Sequence, residues 1–339
     1  MTLNIEIDHI HFYVEDAASQ RDWFIQKLGY RRLFSIANSH TQIEAVQNGQ
    51  TYFVLSSPLT CKSPVSDYLK SHPAGVSDIA FRVENLEELF ARAIPVSHAL
   101  EDATYSTGHL RWAKVKGWGS LNHTLIDRRS SAPFYETLLD RDTDPSQNRA
   151  IVRDISSLSE DRSMAATPVF AGIDHVVLNV AAGTLTQAVD WYTKLFGFQT
   201  HQTFDIQTQN SGLKSQVLTL MGGETYLNIN EPTSTNSQIQ EFLEANGGSG
   251  IQHIALRTPR IVQTVAQLRQ MGQSFLSVPK TYYSQMKARL ARCRMPLLQE
   301  EMQAIQAQQI LADWQEGSAA LLLQIFTRPI FKEPTFFLS

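Results

Sequence analysis

Short runs of alternating apolar and polar residues fill most of this chain, broken at intervals by stretches whose apolar residues fall three and four apart. From Ile7, IDHIHFYVEDAASQRDWFIQKLGYRRL reads as a strand, a loop, an amphipathic helix closed at Gly29 and a second strand. From Ile173, IDHVVLNVAAGTLTQAVDWYTKLFGFQT repeats the same order, with Gly197 after the helix. In this second copy Leu185, Ala188, Val189, Tyr192 and Leu195 or Phe196 lie on one face of a helix, and Gly197 suits the left-handed residue that ends one.

The self-similarity continues inward. GVSDIAFRVENLEELFARA from Gly75 matches GIQHIALRTPRIVQTVAQLRQMG from Gly250, again a strand followed by a helix. The intervening segments, TQIEAVQNGQTYFVLSS and SQVLTLMGGETYLNINEP, read as hairpins turning at NG and GG. The pattern predicts an α+β protein made of tandem βαβββ units, two per half. A polar, poorly periodic stretch separates the halves, and the boundary is expected between Ser157 and Pro168. The domains are then residues 1–156 and 169–339.

Composition narrows the partners. The 339 residues are 42% hydrophobic and 18% charged, with a formal net charge of -4, which argues against nucleic acid and anionic membranes and favours a small organic ligand. The N-terminus lacks a signal-peptide pattern, and no run approaches the roughly 18 apolar residues of a spanning helix, so a cytoplasmic protein is expected. Cys61 and Cys293 stand alone in unrelated contexts, so a metal here would be held by nitrogen and oxygen.

Side chains alternate faces along a strand, so His175 shares a face with Val177 and Asn179, opposite Val176, Leu178 and Val180. In the strand after Gly250, His253 groups with Ala255, opposite Gln252, Ile254 and Leu256. A single strand histidine is more often a core or rim residue than a ligand. Two at matching repeat positions, aimed at one concavity, are a candidate site.

IDHVVLNV, GSGIQHIALRT, VPKTYY and LLLQIFTRP, in this order, resemble the 4-hydroxyphenylpyruvate dioxygenases of the vicinal oxygen chelate superfamily, over nearly the whole chain. The resemblance implies two glyoxalase-like half-barrel domains, the first a scaffold. It also implies an Fe(II) enzyme that uses O2 to convert an aryl 2-oxo acid to homogentisate, a step in tyrosine catabolism and in tocopherol and plastoquinone precursor supply. His175 and His253 would be two iron ligands, and two histidines with one carboxylate leave positions open for a chelating oxo acid and O2. Ser215, Asn230, Gln238, Gln252, Gln324 and Phe326 match positions around the substrate. Neutral amides suit that task, because they bond a hydroxyl or carboxylate without a charge to desolvate. Gln324, between Leu323 and Ile325, needs a reason to be there.

The family's third ligand is a glutamate in a stretch like TFFLEII, and Ser339 stands at that position. The expectation is a shortened C-terminus that lacks this ligand and a covering helix; the terminal carboxylate of Ser339 stands at the place of the lost ligand, but it extends along the strand where a glutamate projects from it, so its ligation is the disfavoured reading. An apolar strand end left exposed there would favour a homo-oligomer. The matching positions of the first half are His9 and Asp78, with Asp127 near the third place, and this half is read as scaffold. Trp23 and Phe24 are read as packing between helix and sheet. Two alternatives stay open: hydroxymandelate synthase, which oxidises the benzylic carbon of the same substrate, and an aryl-acid binding protein without turnover.

Overall fold

A computed structural model describes residues 5–94, 100–107, 110–128, 170–207, 211–220, 226–293, 298–314 and 321–339. The expected domain boundary lies outside them. The first half opens with β1 (Ile5–Tyr13), α1 (Ala17–Leu28), β2 (Arg31–Ala37), β3 (Thr41–Asn48) and β4 (Thr51–Pro58). Next come α2 (Pro64–Leu69), β5 (Gly75–Val83), α3 (Leu86–Ala93), β6 (Leu100–Thr107), β7 (Leu110–Lys116) and β8 (Asn122–Arg128). The strands form one sheet in the order β2-β3-β4-β1-β5-β8-β7-β6, two βαβββ units joined back to back through β1 and β5.

The second half begins with β9 (Gly172–Asn179), α4 (Leu185–Phe196), β10 (Gln199–Gln207), β11 (Gly212–Thr219) and β12 (Tyr226–Pro232). It continues through α5 (Gln238–Asn246), β13 (Gly250–Arg257), α6 (Ile261–Gln270), α7 (Lys280–Cys293) and α8 (Gln299–Ala307) to β14 (Leu311–Asp313), β15 (Leu322–Gln324) and β16 (Phe337–Leu338). Its sheet runs β10-β11-β12-β9-β13-β16, with β14 and β15 paired separately. The Thr327 N–H donates to the Leu338 carbonyl at 2.9 Å, tying the segment after β15 to β16. The order of the first half is thereby repeated, with α7 and α8 added between α6 and β14.

The sequence signals have their expected physical effect. Asp16 caps α1 by accepting from the Ser19 N–H at 3.0 Å, and Gly29 ends it at φ 67°. The stripe from Leu185 to Phe196 is buried, and Gly197 follows at φ 77°. α4 lacks a side-chain cap of its own, and Glu231 accepts from the Leu185 N–H at 3.1 Å instead.

One cluster of buried side chains runs through both halves, including Ile10, Phe12, Val176, Leu178, Phe196 and Ile254. Phe81 meets Phe196 at 4.8 Å, and Phe12 meets Phe336 at 5.2 Å between ring centroids. Trp23 and Phe24 pack as expected, half-buried and buried. The contact with Phe12 also corrects the expectation of an exposed apolar end: Phe336 is 0% and Leu338 2% exposed, because the first half covers that strand. The exposed strand is β10, where Phe204 and Ile206 are 39% and 48% exposed.

Candidate metal centre

β9 and β13 run antiparallel with His175 opposite Ala255 and His253 opposite Val177. On β9, Val176 and Leu178 are buried in the core, so His175, Val177 and Asn179 face the other way, as strand parity requires. On β13 parity alone gives a different answer. Ile251 and Ile254 are both in the core although three residues apart, and the register shifts between Ile251 and His253. Gln252 is the extra residue of a bulge, so it does not simply oppose His253 as alternation predicts. The bulge turns the following histidine out of the core to the site face.

The two imidazoles lie 5.5 Å apart between centroids at 80°. His175 Nδ1 donates to Asp174 Oδ2 at 2.8 Å, which leaves Nε2 with its lone pair. His253 Nδ1 is buried without a hydrogen-bond partner. Burial, with His175 adding to it, pushes the pKa of His253 down to about 3, so the ring is neutral at physiological pH. Phe337 stacks on His253 at 4.8 Å and 14°, and Phe326 stands at 90° to it, 6.1 Å away. Two imidazoles on one face, one of them with an orphaned buried nitrogen, fit a divalent ion at two of its positions.

Position 339 also falls on this face. The Ser339 N–H donates to the Ile254 carbonyl at 3.0 Å, and the Ser339 carbonyl accepts from the Leu256 N–H at 2.7 Å. Ser339 lies two residues beyond Phe337, whose ring is on His253, so strand alternation gives both the same side. No group of three His, Cys, Asp or Glu side chains suited to a metal occurs among the described residues.

The substrate candidates divide. Ser215 on β11 is opposite Asn230 on β12, which is opposite Asn179 on β9, a polar row across three strands. Asn230 Nδ2 donates to Asn179 Oδ1 at 3.4 Å. Gln324 is half-buried opposite Leu311, and beside it Phe326 lines an apolar recess of about 230 Å³ with Leu276, Val278, Pro279, Tyr282 and Leu311. Gln238 instead lies exposed at the first position of α5. Sequence reasoning missed Asn179, Asn228 and Phe337 as site residues. Parity with His175 marks Asn179, the pairing of β12 marks Asn228, and two-residue spacing from Ser339 marks Phe337.

In the first half His9 and Asp78 take the places of His175 and His253. Asp127 is not at the third place: it lies near Arg111 at 3.8 Å, opposite it on β7. β8 runs parallel to β5 with Asn122 opposite Asp78, as Phe337 is opposite His253, so Thr124 corresponds to Ser339. Thr124 donates its N–H and its hydroxyl to Asp78, at 3.1 and 2.6 Å.

The fold and this site define a member of the Glyoxalase/Bleomycin resistance protein/Dioxygenase superfamily, whose sequence profile matches residues 172–292. An uncharacterized protein of Synechocystis sp. is 33% identical over 341 residues, 98% of this chain and 90% of its own length. A 4-hydroxyphenylpyruvate dioxygenase of Yarrowia lipolytica is 33% identical over 353 residues, 98% of this chain and 85% of its own length. Among solved structures, a mutant 4-hydroxymandelate synthase from Streptomyces coelicolor superposes with a TM-score of 0.80 at 23% identity, covering 98% of this chain and 91% of that one. The chain belongs to the 4-hydroxyphenylpyruvate dioxygenase family, a family of dioxygenases. No helix among the described residues is long and apolar enough to cross a membrane.

Proposed function

We propose that the second half binds Fe(II) through His175 and His253 and converts 4-hydroxyphenylpyruvate and O2 to homogentisate, a step of tyrosine breakdown, with the first half as scaffold. The observation that carries this reading is the pair of facing imidazoles beside an apolar recess and a row of neutral polar side chains. Bound Fe(II) supplies positions for a chelating 2-oxo acid and for O2, and the activation of O2 that decarboxylation and ring hydroxylation require.

The protein's own part is positioning. Phe337 fixes the plane of His253 by stacking, and the bulge at Gln252 aims that ring. The recess beside Phe326 has room for an aromatic ring, since an apolar cavity of about 150 Å³ holds benzene. Ser215, Asn230 and Gln324 offer donors and acceptors without charge, so a substrate hydroxyl or carboxylate can be bonded without burying a second ion.

A second reading, an aryl-acid binding protein without turnover, is favoured by the serine at position 339 and the absence, among the described residues, of a third His, Cys, Asp or Glu grouped with the two histidines. Oxygen uptake with 4-hydroxyphenylpyruvate and saturating Fe(II), followed by product analysis, separates the readings. Homogentisate supports the first. 4-Hydroxymandelate assigns the synthase reaction instead, and substrate binding with no oxygen uptake assigns the binding protein.

A further inference from the structure

In a regular strand neighbouring side chains point to opposite faces, so an aspartate does not ordinarily reach the ring of the histidine that follows it. Here one does, twice. Asp174 Oδ2 lies 2.8 Å from His175 Nδ1, and Asp8 Oδ1 lies 2.8 Å from His9 Nδ1. Each aspartate is the extra residue of a bulge. On β9 the register jumps from His175 opposite Ala255 to Ile173 opposite Leu256, skipping Asp174. On β1 it jumps from Ile7 opposite Phe81 to His9 opposite Ala80, skipping Asp8. The bulge turns the carboxylate toward the neighbouring ring, and both halves have kept the device.

In the second half the histidine faces another imidazole, that of His253. An ionised carboxylate accepts and cannot donate, so the bond places the proton of a neutral His175 on Nδ1 and leaves Nε2 unprotonated, held in one orientation beside His253. We propose that Asp174 is a positioning residue of the metal centre, selecting the tautomer and ring orientation with which His175 presents Nε2 to a divalent ion. This rests on the metal-binding reading above. Asp8 forms the same bond in a half where Asp78 and Thr124 take the other ligand positions, so it serves as an internal control.

The test is Co(II) titration, followed by visible absorption, of the full chain and of Asp174→Ala, Asp174→Asn and Asp8→Ala, with urea midpoints of the metal-free proteins measured alongside. Loss of such an outer partner typically weakens metal binding about 10- to 100-fold. Asp174→Ala is expected to fall in that range. Asp174→Asn keeps the shape but can donate to Nδ1 as well as accept, so it is expected to lose at least about tenfold. Asp8→Ala should bind as the parent does. In 15N-histidine spectra of the metal-free chain, the His175 signals, identified by their loss in His175→Gln, should show the Nδ1–H form in the parent and a shift toward Nε2–H in both Asp174 variants.

Two outcomes overturn the role of Asp174 while leaving the metal centre in place: parent-like affinity in both Asp174 variants, or an equal loss in Asp8→Ala. A parent chain that takes up no Co(II) overturns the metal-binding reading and this inference together. If Asp174→Ala does not fold, Asp174→Asn and the spectra decide alone.

Discussion

Replacing His123 by glutamine should flatten the acid dependence of stability. His123, on β8, is fully buried where the two halves meet. Its Nδ1 lies 3.1 Å from the Ile79 carbonyl and its Nε2 3.0 Å from the hydroxyl of Tyr192 on α4. A carbonyl only accepts, so Nδ1 carries the proton and Nε2 accepts from the tyrosine. Phe81, Trp191 and Phe196 surround the ring. Burial pushes its pKa down from 6.5 to about 4, opposed in part by Asp78 and by the bond to Ile79.

The folded state therefore favours the neutral ring, while the unfolded chain takes up a proton near the ordinary value. Stability from this group is complete above pH 6.5 and is lost as pH falls toward 4. Over the roughly 2.5 pH units between these values, about 1.36 kcal/mol per unit gives a total loss of about 3.4 kcal/mol, of which about 2 kcal/mol is gone at pH 5. Urea unfolding of the metal-free parent and of His123→Gln at pH 7.5, 6 and 5 measures it. The variant should start about 1–3 kcal/mol less stable, because one of two buried bonds is made poorly. It should then lose about 2 kcal/mol less than the parent between pH 7.5 and 5. Equal losses in the two chains would refute the assignment of this acid sensitivity to His123.

Two further changes probe the site itself. Ser339→Glu supplies a carboxylate at the third position and should tighten Co(II) or Fe(II) binding at least about tenfold, since even an outer partner has an effect of that size; titration showing no gain would mean that position 339 does not face the ion. Phe326→Ala removes an aromatic wall of the recess and should weaken 4-hydroxyphenylpyruvate binding about tenfold, in line with the roughly 0.5–1.5 kcal/mol of an aromatic contact beyond its area. Calorimetry of the metal-loaded protein should show that loss while metal affinity stays unchanged.

Much of this architecture could be read from hydrophobic periodicity, because each βαβββ unit buries one face and its sequence must alternate accordingly. The helix stripe from Leu185 to Phe196, the glycines after the helices and the shared face of His175, Val177 and Asn179 follow from period alone. The bulges do not. One inserted residue reverses the parity of everything beyond it, and nothing in GIQHIAL marks Gln252 as that residue until Ile251 and Ile254 are seen together in the core. The third place in the first half was missed for a related reason: Asp127 is the nearby carboxylate in sequence, but the parallel register of β5 and β8 selects Thr124. The burial of Phe336 depends on Phe12, some three hundred residues away, a contact no local pattern encodes.

On the proposed reading, the duplicated halves differ in how readily the same frame could hold an ion. Both retain the bulged Asp-His pair, so the difference lies in what faces the histidine and what fills the sheet around it. In the first half Phe34, Ile36, Ile43, Ala45 and Val54 form a buried apolar cluster on the corresponding face, Ala80, Trp112 and Ile126 form another, and Asp78 is engaged twice by Thr124. An ion there would have to displace packed side chains and break two buried hydrogen bonds to a carboxylate, each worth roughly 1.5–3 kcal/mol. In the second half Val177 is bordered by the half-exposed Asn228 rather than by a packed cluster. On that reading, a division of labour between the halves would come from filling one site face with apolar side chains and leaving the other polar, with the strand frame unchanged.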